Sequence, residues 1–299
     1  MTRNKKDLRK AFLLVSPSLL LVAFFVYGFI GWSLRVSMSA WKGIRADWTF
    51  VGFRNYANLF LSSRFITDLW NTFYFTLFFI LLTVVLGFIL AFLVNRNVQG
   101  ESIFRTIYLF PMALSFIVTG VIWRWLLNPT YGINTFLARI SEDLGSFGWY
   151  TVTTDYLGFH PALLALILAA SWQFTGYTMA MYLAGLRGIG DELIESARID
   201  GAHEVTIVRK IILPLLRPIT LSAMIVLGHI SLKIFDLVYV MTGSGPAFVT
   251  DFPGVFMFET TFRGNQYAQG AAISIIMLLM VALVVIPYRS EEHTSELQS

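Results

Sequence analysis

An all-α integral membrane protein with about six transmembrane helices is the fold class this sequence predicts, on three observations. Its hydrophobic fraction is 56% and its charged fraction 13%, against roughly 45–50% and about 25% in soluble domains. Apolar stretches of about 20 residues, each enough to cross about 30 Å of hydrocarbon, recur along nearly the whole chain. Lysines and arginines stand between those stretches instead of in one stripe, so the net charge of +4 reads as a topology signal and not as a nucleic-acid surface. Little chain is left for a soluble domain. With zero cysteines, no disulfide, thiolate metal site or cysteine nucleophile is possible.

Residues 1–10 read as a basic cytoplasmic N-terminus carrying Arg3, Lys5, Lys6, Arg9 and Lys10. The apolar run 11–34 exceeds a signal-peptide core of about 7–15 residues and lacks an A-x-A cleavage site, so it is expected to remain as the first span. Further spans are expected at about 70–94, 105–127, 161–184, 215–235 and 267–288, making 11–288 one transmembrane domain. Twelve Lys and Arg fall in 1–10, 95–105 and 185–218, against seven in the intervening loops. The positive-inside rule then puts the N-terminus in the cytoplasm. Trp32, Trp70, Trp123 and Trp125 near the opposite span ends agree, because an indole ring is apolar while its N–H needs a partner. The closing run Arg289 to Ser299 is polar and reads as the in-frame translation of a sequencing adapter. It is set apart from the fold, with the native C-terminus expected to be missing.

The inner loop 185–214 reads as two short helices joined by a turn. Asp191 is expected to cap the first and Glu192 to suit its positive end. Glu195 and Arg198 stand at i and i+3 and are expected to pair. Asp200-Gly201 is a stop-and-turn signal, because glycine enters left-handed backbone geometry without a Cβ penalty. Pro214 and Pro218 mark entry to the next span.

Glu195, Ser196 and Ala197, then Gly201 after three residues, then Ile211, Leu213 and Pro214 after nine more, resemble the E-A-A loop of the inner-membrane permeases of binding-protein-dependent ABC importers. Ser196 for alanine is the one departure. Val51-Gly-Phe-Arg-Asn-Tyr56, Phe110-Pro111 and Val240-Met-Thr-Gly-Ser-Gly-Pro246 are similar to the carbohydrate-uptake branch, the last to the first permease of an unlike pair. The resemblance implies a multi-pass protein of a bacterial or archaeal plasma membrane that moves a sugar. It implies a second permease as heterodimer partner, two ATPase subunits and an extracytoplasmic solute-binding protein. Asp200 and the matched residues would then belong to a coupling helix that docks on an ATPase. No G-x-x-x-x-G-K-[ST], H-E-x-x-H or G-x-S-x-G occurs, so no catalytic site or cofactor is expected on this chain. ATP and magnesium would be bound by the partner ATPases.

Polar side chains inside apolar spans are costly and usually face a bundle interior or a water-filled path. Trp172, Gln173 and Tyr177 on the fourth span, and His229, Lys233 and Asp236 at the fifth, are therefore candidates to line a substrate path. They are also candidates for bonds between helices or snorkelling to the interface. His203 is expected to be a solvated loop residue, since no second metal ligand stands at suitable spacing. The rival function is a self-sufficient secondary transporter of a polar solute. It would need carboxylates at mid-membrane, and none falls in the middle of a predicted span.

Overall fold

Long runs of leucine and alanine form helices because these side chains lose little freedom there, and the phenylalanines among them follow because the backbone must satisfy itself inside lipid. The computed structural model describes residues 5–95 and 100–296, with side chains described for 12–95, 100–142 and 145–283. Arg3 and Arg96, two of the cations behind the topology, lie outside the described residues, as do 297–299 of the closing run. The protein is all-helical among the described residues, with only two isolated bridges, Ser39 to Phe50 and Tyr156 to Phe159. Among the described residues, three helices are long and apolar enough to span a membrane, or five if each of two bent pairs is one span, and Tyr267–Leu283 is a shorter apolar helix. The chain is a multi-pass membrane protein.

The described residues form two compact units. In the unit of Met1–Ser62 and Phe256–Leu279, α1 (Phe12–Ser37) is apolar with its most hydrophobic stretch 0% buried. Helix α2 (Arg54–Leu61) is fastened to the end of α1. Asn55 Nδ2 donates to the carbonyls of Ser37 and Ser39 at 2.8 and 2.9 Å, and the Ser37 and Tyr56 hydroxyls lie 2.6 Å apart. Trp41 packs its ring on Trp48 and Tyr267.

In the unit of Ser63–Val255 and Met280–Ser299, α3 (Ser63–Val94) begins seven residues before the predicted span and packs along α6 (Leu163–Arg187). Small side chains allow the approach, with Ala165, Ala169, Ala170 and Ser171 of α6 buried. Between these, the predicted span 105–127 is two helices, α4 (Glu101–Ala113) and α5 (Phe116–Leu126), set at 100°. Likewise α8 (Glu204–Leu215) meets α9 (Arg217–Leu232) at 64°, with α7 (Asp191–Ile199) before them and α10 (Asp236–Met241) after. Helix α11 (Tyr267–Glu296) carries backbone helix into the closing polar run.

Asp68 and Asp251 are both 0% exposed near the first turns of α3. Arg64 Nε donates to Asp251 Oδ2 at 2.6 Å, and Asn71 Nδ2 donates to the carbonyls of Phe248 and Asp251. Burial pushes the Asp251 carboxyl up from its ordinary value, and the Arg64 guanidinium pulls it part of the way back. Arg64, counted in an outer loop by the sequence, is thus a helical ion-pair residue.

Candidate functional site

The loop after α6 is built on an apolar floor. Tyr182, Leu183 and Leu186 of α6 pack with Ile207, Ile212 and Leu216 as one buried cluster, against which Ile194, Ala197, Ala202 and Ile211 also lie. The outward face holds Glu195, Ser196, Asp200, Gly201 and Leu213, all exposed, while Pro214 is half-buried. The turn is closed by two bonds: Ala202 N donates to Ala197 O and Gly201 N to Arg198 O, each at 3.0 Å. That pair of bonds, with Gly201 at φ +81°, is a Schellman helix ending.

Two expected contacts are made differently. Gly190 occupies the capping position of α7 and Asp191 is its first residue, so Asp191 and Glu192 act on the helix dipole and not as side-chain caps. Arg198 pairs across the turn, its Nε 2.8 Å from Glu204 Oε1, because the left-handed glycine folds the start of α8 back beside it. The bond to Glu204 holds the Arg198 guanidinium above its ordinary value, and the charge of Glu195, its expected partner, adds a smaller pull in the same direction. Sequence reasoning missed Ile199, which is 86% exposed at the tip of the turn, and Glu101. The Glu101 carboxylate receives Arg105 and also Arg187 Nη2 at 2.5 Å, tying the start of α4 to the end of α6. The i, i+4 spacing of Glu101 and Arg105 was the available signal; the exposed isoleucine had none.

Among the path candidates, Gln173 is 3% exposed, and its Nε2 donates to the carbonyl of Leu114 at 2.8 Å. Leu114 lies at the break between α4 and α5, where the backbone is extended and Ser115 Oγ caps α5 through Val118 N. A broken helix in lipid needs such partners for its freed carbonyls. Three atoms of α6, Ser171 Oγ, Gln173 Oε1 and Thr178 Oγ1, are buried without a hydrogen-bond partner among the described residues. Trp172 is exposed, its ring 6.0 Å from that of Trp123. Tyr177 and His229 are half-buried, and Lys233 and Asp236 are exposed where α9 gives way to α10. Helix α6 touches both α9 and α10, so the candidates fall on neighbouring elements. Arg124 donates to the carbonyl of Val240 at 3.2 Å, closing α5 on α10.

Known proteins bear on this arrangement. The profile of a family described as "Binding-protein-dependent transport system inner membrane component" matches residues 83–290. A probable ABC transporter permease of Pyrococcus horikoshii is 39% identical over 287 residues, 96% of each chain. The xylose/arabinose import permease protein XacH of Haloferax volcanii is 35% identical, covering 90% of this chain and 83% of its own. A bacterial ABC transporter involved in import of the acidic polysaccharide alginate shares the fold, with a TM-score of 0.74 at 22% identity over 95% of this chain and 98% of that one.

Proposed function

The chain belongs to the family of binding-protein-dependent transport system inner membrane components, and we propose that as such a permease subunit it carries a carbohydrate and is driven through the turn at Ile199 to Ala202. ATP hydrolysis belongs to separate subunits in this family. The observation that supports the turn as the driven element is its combination of rigidity and exposure. A Schellman ending and a buried floor fix it, yet Leu193 and Ile199 present apolar side chains outward at 46% and 86% exposure. Scattered apolar residues are ordinary on a surface, but here they share a built element with Glu195 and Asp200. A partner ATPase would cover them and pull on α8.

The sugar reading rests on the names of relatives, among them XacH. Trp172, Tyr177, His229, Lys233 and Asp236, on the neighbouring elements α6, α9 and α10, are the side chains that would line the sugar's path. The partners inferred are a second, unlike permease, two ATPases and an extracytoplasmic binding protein, with the N-terminus of this chain in the cytoplasm. The test is uptake of labelled sugars into vesicles holding the reconstituted complex. Uptake that needs internal ATP and added binding protein is expected. Uptake driven by an ion gradient without ATP would favour the secondary-transporter reading instead.

A further inference from the structure

At the 64° bend between α8 and α9 lies a cavity of about 480 Å³ lined by Arg209, Leu213, Pro214, Arg217, Thr220 and Leu221. Arg209 and Arg217 are exposed, and the lining contains no acidic residue. The hydroxyl of Thr220 is already engaged, donating to Leu216 O at 3.0 Å and meeting Tyr182 OH at 2.9 Å. The polar capacity of the cavity is therefore two guanidinium forks, beside Leu213 and Leu221 at 41% and 47% exposure. A guanidinium matches the geometry of phosphate oxygens, and the adjoining leucines match hydrocarbon. A ligand that uses both halves is an amphiphile with an anionic head.

We propose that this cavity binds an anionic phospholipid, its phosphate held by Arg209 and Arg217 and its acyl chains laid over Leu213 and Leu221. Placing that lipid in the inner leaflet rests on the topology inferred above, in which 185–218 is cytoplasmic. Basic residues at that surface attract anionic headgroups. The bound lipid would brace the joint through which motion of α7 and α8 reaches α9.

The experiment measures binding of fluorescent phosphatidylglycerol to the purified complex, with phosphatidylcholine and inorganic phosphate as the other probes. Each arginine near an anionic headgroup is worth about fivefold in affinity. R209Q and R217Q should each weaken phosphatidylglycerol binding by about that factor, and the double variant by about twenty-fivefold. R217K, which keeps the charge but not the fork, should weaken binding less than R217Q, which separates loss of charge from misfolding, and millimolar inorganic phosphate should not displace the lipid. Equal binding by wild type and the double variant would overturn the proposal, as would displacement by inorganic phosphate alone. A reporter fused after Asp191 reads the membrane side independently, so a wrong topology would not be mistaken for an absent lipid site.

Discussion

Gly201 stands at φ +81° with nothing within 4 Å of where a Cβ would be. The backbone, and not crowding, therefore selects glycine there, at a cost of about 1–3 kcal/mol for a β-branched residue. Gly201→Val is expected to reach the membrane normally yet to recover less ATPase on purification and to lose ATP-dependent uptake. Gly201→Asn, which enters left-handed geometry more readily, should keep most of both. Equal behaviour of the two variants would show that the turn geometry is immaterial. Gln173 calls for a different expectation from a path residue, because its amide satisfies the Leu114 carbonyl. Orphaning a buried carbonyl costs about 1–3 kcal/mol, so Gln173→Ala should lower the thermal midpoint of the purified protein. An unchanged midpoint with an altered uptake KM would instead make it a ligand to substrate. Motif spacing and the Asp200-Gly201 turn signal exposed Gly201 in the sequence. The partner of Gln173 is 59 residues away and left no periodic trace.

At the scale of elements, hydropathy located the apolar segments but not their direction. The window 105–127 is apolar enough to be read as one span, whereas its helices turn through 100° at Leu114 and Ser115. Pro111 was visible in the sequence, yet a proline can kink a helix or end one, and only the extended backbone after it decides. The buried start of α3 escaped for a related reason: Arg64 and Asp68 read as loop residues until Asp251 arrives from far along the chain. Contact between α6 and the end of α4 is tight. A Cβ on Gly176 would stand 1.8 Å from the carbonyl oxygen of Tyr108, and backbone cannot give way as a flexible side chain can. Gly176→Leu is thus expected to cut the folded yield in detergent severely. Gly31→Leu on α1, where a Cβ meets nothing within 4 Å, should leave the yield unchanged. Similar yields from both would contradict this packing.

For the whole molecule, composition and the recurrence of apolar stretches were sufficient to read an all-helical membrane protein, and the fixed spacing from Glu195 to Pro214 was sufficient to read the family. Orientation rests on the asymmetry of Lys and Arg. A cytoplasmic reporter should be active when fused after Asp191 and inactive after Trp48; the reverse would invert the topology. Coupling to an ATPase is the central claim, and the chain's zero cysteines make it directly testable. With a single cysteine in place of Ile199 and membranes holding the assembled complex, a short thiol-to-lysine cross-linker should join this chain to the ATPase subunit. The yield should change when ATP is added, while a cysteine in place of Ile44, 94% exposed in the loop after α1, should give no such product. Efficient cross-linking from position 44 and none from position 199 would contradict the account.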